Sequence, residues 1–476
     1  MIVNGVDLSE YMRIKRINRQ LAPSVENMVF DVPGMHGAHH IRNIRKARRI
    51  EVEFTVIGNS VSDRIEKAHI IAGYVTSEQD MTIILPDEPE KVYIGSLSGE
   101  TNLDEILHTA QGTLTFFCSD PHILDDTEQT AQFNANGQLT VLNDGTAETY
   151  PSFSIAFNQP TTFFEIVNLT TEKRVRLGFP IEVEQTPIDP QELILHDTMA
   201  STSGWQSGVQ VDGGTISGQF ESDGEKFYVS DFGTGSSWHG PALKKSLSEE
   251  VQDFRIDTKI TLNNSVGEVG RVEVYLLDAN DNIIGKIALK DSRSNSQLNS
   301  VEARAGALND GFYFISEAGD NPGVWNDFDG MLRIERQGNR WGAYIAKISP
   351  EGVHYARRTR FYTDVAQQFM NKLASVQVHI ATSSDYQPCD MSINEMRVYK
   401  LNQPQDQQQE IPYIVHANDV VDIDNGLNRV LRNGEPLPQI VDVSTDFFPL
   451  EKGSNVLEVF PKDIATVTAK WRRRWV

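Results

Sequence analysis

Two tryptophans stand where an indole is hard to bury. Trp238 sits in GTGSSWHG (233–240) and Trp325 in GDNPGVWNDFDG (319–330), both rich in glycine and small polar residues. Sugars present apolar C–H faces beside their hydroxyls. An exposed indole for stacking, with carboxylates nearby for hydrogen bonds, therefore suits a carbohydrate. Trp238, Trp325, Asp327 and Asp329 are the candidate sugar contacts. Trp341 lies in an alternating strand, where core packing is the better reading, and Trp205 is ambiguous. Asp320, Asn321, Asp327 and Asp329 offer the oxygen donors that Ca²⁺ takes, but a solvated turn has the same composition. The run from Asp278 starts like an EF-hand loop, yet Ile283 and Leu289 stand where glycine and glutamate are needed. No metal site is assigned.

Catalytic chemistry finds little support. Glycoside hydrolysis needs two carboxylates on facing strands, and Glu273 and Glu335 lie in alternating segments. With 66 acidic residues in the chain, such a pair is expected by chance. There is no GxSxG elbow, HExxH pair or Walker A loop. His39 and His40 are adjacent in a strand and would face opposite sides, which disfavours a shared metal. Cys118 and Cys389 belong to no CxxC or Cys/His cluster and read as small buried groups. The expectation is a non-enzyme without a cofactor, and a polysaccharide hydrolase is the weaker alternative.

The elements that must position these residues are mostly strands. RIEVEFTVI (49–57), GTLTFFC (112–118), PSFSIAF (151–157) and NVLEVF (455–460) alternate apolar and polar residues between turn signals, the pattern of half-buried antiparallel sheet. Helix signals are few: 62–75 with Ser62 as N-cap and Ile65, Ala68, Ile71 and Ala72 on one face, then 102–108 and 363–372. No run reaches the roughly 18 to 20 apolar residues of a bilayer span. The N-terminus lacks the pattern of a secretory signal. A net charge of −23 excludes a diffuse basic surface for nucleic acid. Basic residues nevertheless concentrate in the first fifty positions and at 472–474. Such patches suit subunit contacts, or else mark strands with solvated basic faces.

Polar stretches at 121–136, 185–191 (QTPIDPQ) and 403–409 (QPQDQQQ) read as boundaries or linkers. Residues 137–184 and 411–476 each supply four or five strands, too few to close a sandwich alone. Together they complete one, interrupted by an inserted domain at small entropic cost. Inside the insertion, strand follows strand: 254–262, 271–278, 282–290, 331–348, 376–382 and 391–401. The pattern resembles concanavalin A-like jelly rolls of lectins and carbohydrate-binding modules.

The segments IVNGVDLSEYMRIKRI (2–17), VPGMHGAHHIRNIRKARR (32–49), EVEFTVI (51–57) and GTLTFFCSDPH (112–122) resemble distal tail proteins of phages that infect Gram-positive bacteria. NGLNRVLRN (425–433) and DFFPLEKGSN (446–455) extend the likeness to the C-terminal part. The resemblance implies a structural protein in three parts. Residues 1–132 would be a ring-forming β domain with one helix. Residues 133–190 plus 405–476 would be a discontinuous galectin-like β-sandwich, and 193–402 an inserted jelly roll. It further implies a homo-hexameric ring at the virion tail tip, joining the major tail-tube protein to the tail-associated hub. The insertion would bind host cell-wall polysaccharide, with no nucleic-acid ligand and no membrane insertion. A purely structural baseplate role is the alternative. Residues 32–49, with Gly34 and Gly37 before alternating apolar and basic positions, are read as an arm that pairs across subunits or as a hairpin within one. His39, Arg42, Arg45 and Arg48 are its candidate interface residues.

Overall fold

The structure is a computed structural model that describes all residues except 32, 35, 100–102, 105–109, 182–184 and 404–409, and the side chains of 103 and 104. It is mostly β, and the chain divides into two compact units: 1–178 with 416–430 and 438–476, and 179–415 with 431–437.

The first unit opens with a sheet built around Arg48–Val56, flanked by Met12–Arg19 and Gln111–Cys118. Alternation sends Ile50, Val52, Phe54 and Val56 into the core, with Ile50 opposite Phe116 and Val52 opposite Leu114. The helix Val61–Val75 is capped by Ser60, whose hydroxyl accepts from Asp63 N at 3.1 Å. The expected cap, Ser62, lies one residue inside. Ile71 and Val75 are its buried residues, whereas Ile65 is 40% exposed. The expected helix at 102–108 lies mostly outside the described residues, and Leu103–Asp104 is a short strand. The expected helix at 363–372 is a turn: the Asp364 carboxylate accepts from Phe369 N at 2.7 Å, which spends the segment's hydrogen bonding locally.

Further along the same unit, two sheets share strands from both flanks of the insertion. Ser152–Phe157 lies between Val420–Asp424 and Ala465–Trp471, with Ile155 opposite Val421 on one side and Val467 on the other. Gly453–Phe460 lies between Gln138–Asn143 and Phe163–Asn168, with Leu139 opposite Leu457 and Ile166 opposite Val459. Phe153, Phe157, Phe164, Val421, Leu457 and Val467 are buried, so neither flank could keep its apolar face dry without the other. The basic run 472–474 is consumed at home. Arg474–Trp475 pairs with Ile123–Asp125; Arg474 meets Asp120 at 2.6 Å and Arg473 meets Asp125 at 3.0 Å. This corrects the reading of that run as an exposed contact patch.

The second unit is a sandwich of two antiparallel sheets. Asp390–Leu401, Phe254–Asn263, Phe328–Gln337, Arg340–Ile348 and His354–Thr363 run side by side in one. Ala242–Val251, Leu373–Ser383, Glu268–Leu277, Ile283–Asp291, Ser300–Ala305 and Phe312–Glu317 make the other. Ile256, Ile260 and Ile334 of the first sheet meet Val272, Val274, Leu276 and Val378 of the second in one apolar core. Trp341 belongs to it, packed over Gly285, where an added Cβ would lie 3.0 Å from the indole. The expected linker at 185–191 is partly strand: Thr186–Ile188 pairs in parallel with Glu410–Pro412.

Candidate functional site

Alternation along Glu268–Leu277 sends Val272, Val274 and Leu276 inward, so Arg271, Glu273 and Tyr275 take the outer face of the second sheet. Neighbouring strands add Lys286 and Lys290, Glu302 and Arg304, and Gln377 and His379 to that face. Nearly all of these polar side chains are buried.

They are buried because they satisfy one another. Lys286 Nζ lies 3.1 Å from Glu273, 2.5 Å from Glu302 and 3.0 Å from Asp212. Glu273 also accepts from Tyr275 Oη at 2.7 Å and from His379 Nδ1 at 2.8 Å. Arg304 binds Asp212 and Tyr313 Oη, both at 2.8 Å. Burial alone would push the Glu273 carboxyl up, but Lys286, Arg271 and the His379 hydrogen bond hold it well below the usual range. Glu302 is lowered too, with Lys286 and Lys290 outweighing burial. Burial would lower Lys286, and Glu273, Glu302 and Asp212 hold it above its ordinary value instead.

Trp238 stands at the margin of this face, in the strand Trp238–Gly240 that pairs with Leu373–Ser383. The Arg271 guanidinium lies 4.8 Å from its ring centroid. Arg271 Nε is 3.3 Å from the Glu273 carboxylate without hydrogen-bond alignment, and its second terminal nitrogen is buried without a protein partner. Trp238 is part-exposed.

The other expected sugar contacts are not gathered here. Trp325 is 1% exposed, part of the sandwich core, and donates from Nε1 to Ala356 O at 2.9 Å. This corrects the expectation drawn from its Gly- and Asn-rich loop. The loop turns back, with Gly319 and Gly323 at positive φ, and plugs the core with the indole. Asp329 is exposed on the first sheet, opposite Thr261. Asp327 is exposed at positive φ, its carboxylate 3.4 Å from Gln297 Nε2. Asp320 is paired with Arg358. Glu273 and Glu335 cannot flank one glycosidic bond, because they lie on the outer sides of different sheets with the core between. The buried network was missed by sequence reasoning, although charged residues two apart on consecutive strands (271/273, 302/304) were its visible trace.

The second candidate surface is in the first unit. Val25–Phe30 and His39–Arg45 form a two-stranded ribbon within the chain, Val25 opposite Arg45 and Phe30 opposite His39. Val25, Val29, Phe30 and Ile41 are 51%, 51%, 59% and 60% exposed. His39, Arg42 and Arg45 are exposed on it. Arg48 is not part of that surface: it is 2% exposed and donates to Gln20 O at 2.9 Å and Pro121 O at 3.2 Å. One position of register separates it from exposed Arg49, since alternate residues of Arg48–Val56 face the core.

Comparison with known proteins follows this architecture. Residues 6–118 match the family model for a phage tail protein RIFT-related domain, and residues 388–475 that for a siphovirus-type tail component, C-terminal domain. The distal tail protein of Bacillus phage SPP1 is 25% identical over 167 residues, a match spanning 35% of this chain and 65% of that relative's length. Among solved structures, the CBM2 module of the Lactobacillus casei BL23 phage J-1 evolved Dit is 16% identical and superposes with a TM-score of 0.39 over 46% of this chain and 99% of its own. SPP1 Dit superposes with a TM-score of 0.33 at 22% identity, over 38% and 74%. Over residues 6–118 and 388–475 the chain is similar to siphovirus-type phage tail components. The curated relative that it matches is a distal tail protein, and most of the second unit lies between the two matched segments.

Proposed function

We propose that this chain is a structural ring component of the tail tip, assembled from six copies, that joins the tail tube to the hub and carries a module for host cell-wall polysaccharide. Its working segments are taken as 1–132 for the ring, 133–190 with 405–476 for the supporting sandwich, and 193–402 for the module. One observation carries the ring: among the described residues, Val25, Val29, Phe30 and Ile41 of the 25–45 ribbon are each more than half exposed. A two-stranded ribbon is marginal alone, and a neighbouring copy that buries Val29, Phe30 and Ile41 would stabilise both. His39, Arg42 and Arg45 then line the interface. Mass measurement and particle averaging of the purified full chain test this. The expected product is a closed ring, and a monomer at all concentrations, with tube and hub proteins added, overturns it.

The module's reading rests on Trp238, a part-exposed indole backed by Arg271. Retention of the chain on purified cell walls, and loss of at least tenfold in affinity for Trp238→Ala, is the expected result. Retention unchanged by that substitution sinks the Trp238 site. Glu273 does not suit the role of a glycosidase general acid, which needs a raised carboxyl, because Lys286 and Arg271 hold it low.

A further inference from the structure

The buried network is closed from outside by one short segment, residues 208–216. Its middle is not fastened by a strand ladder. Val209 N donates to the Gln377 side chain at 2.7 Å, Gln377 Nε2 donates to Gln210 O at 2.6 Å, and Asp212 N donates to Tyr275 Oη at 2.8 Å. Backbone pairing holds only the ends, Gln206–Ser207 against Ala242–Val251 and Gly214–Ile216 against Trp238–Gly240. Gly208 and Gly214 let the segment lie close: a Cβ on Gly208 would meet Ala242 at 2.5 Å, and one on Gly214 would meet Arg271 at 2.8 Å.

The charges explain what the segment does there. Setting Asp212 aside, the sheet face presents Arg271, Lys286, Lys290 and Arg304 against Glu273 and Glu302, so cations exceed carboxylates by two. Asp212 is the acid supplied from outside the sheet, and one of its oxygens lies 3.0 Å from Lys286 and 2.8 Å from Arg304. Even so, one terminal nitrogen each of Arg271 and Arg304 is buried without a hydrogen-bond partner among the described residues. A face with surplus positive charge and unpartnered guanidinium nitrogens, neutralised by a carboxylate from outside the sheet, has the chemistry to hold an anion.

We propose that residues 208–216 are a strap whose Asp212 occupies an anion subsite between Lys286 and Arg304, and that a carboxylate or phosphate substituent on the bound glycan displaces it. The strap keeps the subsite neutral until ligand arrives, and Trp238 beside it takes the adjoining sugar. This rests on the reading of the module as glycan-binding and assigns that ligand a negative charge.

The test is hydrogen exchange on the full chain, reading the amides of Val209 and Asp212 with a glucuronate oligosaccharide, inorganic phosphate or an uncharged glucose oligomer. One of the two charged probes should accelerate exchange at both amides at least tenfold, and the uncharged one should not. The two charged arms separate a carboxylate from a phosphate source. In parallel, Asp212→Asn should bind the effective charged probe about tenfold tighter, because a built-in competitor has been removed. Unchanged exchange with both charged probes, or the same acceleration by the neutral one, overturns the proposal on the unmutated protein, whether or not the variant folds. Retention on cell walls with a static strap leaves the glycan-binding reading standing and removes this one. Absence of wall retention removes the reading itself.

Discussion

The ribbon of the first unit and the outer sheet face of the second invert the usual distribution of side chains. On the ribbon, Val25, Val29, Phe30 and Ile41 are apolar and open. On the sheet, Glu273, Lys286, Arg304 and His379 are polar and closed. Exposed apolar groups gain by meeting something outside the chain, whereas buried charges lose heavily unless partners are already in place. In the proposed assembly a neighbouring copy covers the ribbon, whereas the charges of the sheet face are partnered within their own chain.

The comparison breaks most visibly if Lys286 is removed. Lys286→Ala leaves Glu273, Glu302 and Asp212 buried together, and the expected loss in the second unit is about 3–5 kcal/mol. Calorimetry that resolves two transitions should show one fall while that of the first unit stays. A loss below about 1 kcal/mol would mean that solvent already reaches the network. On the ribbon the opposite is expected. Val29→Glu with Ile41→Glu should abolish ring formation while changing monomer stability by no more than about 0.5 kcal/mol, read by mass measurement and thermal unfolding. A large stability loss would show that the ribbon is held by its own chain after all.

Smaller effects sharpen the same contrast. Burial would raise the Asp120 carboxyl, but hydrogen bonds from His122 and the Arg474 charge bring it down to about 2. A depressed folded-state value means that its stabilisation is complete above the unfolded value and fades as pH falls from about 4 towards 2. Acid titration of the first unit should lose that part of its slope in Asp120→Asn. Least of all, burial pushes the Cys118 and Cys389 thiols up to about 11 and about 12. Neither should react with a thiol-exchange reagent at pH 8 before unfolding, and rapid labelling would place it outside the core.

Much of the architecture was legible. Ile50, Val52, Phe54 and Val56 at every second position announce a half-buried strand, and two strand sets too small to stand alone imply a common core. Trp341 was legible because its neighbours alternate. Trp325 was not, because local composition does not reveal when a loop folds back and inserts its largest side chain. Arg48 was misplaced because a one-residue difference in register decides which arginine is buried. The 472–474 arginines and the sheet network failed for a shared reason. Their partners lie far off in the sequence, Arg474 being 354 residues from Asp120 and Asp212 being 92 from Arg304, and no local pattern pairs them.

One pairing constrains how such a module could be exchanged. Thr186–Ile188 and Glu410–Pro412 lie next to each other but run the same way, Thr186 opposite Glu410 and Ile188 opposite Pro412. Chain leaving and chain returning in parallel cannot be rejoined by a tight turn, which serves only antiparallel neighbours; a crossover of a dozen or more residues is required. A clean deletion between these strands would therefore strain both, and any replacement domain must bring its own path back to the starting edge.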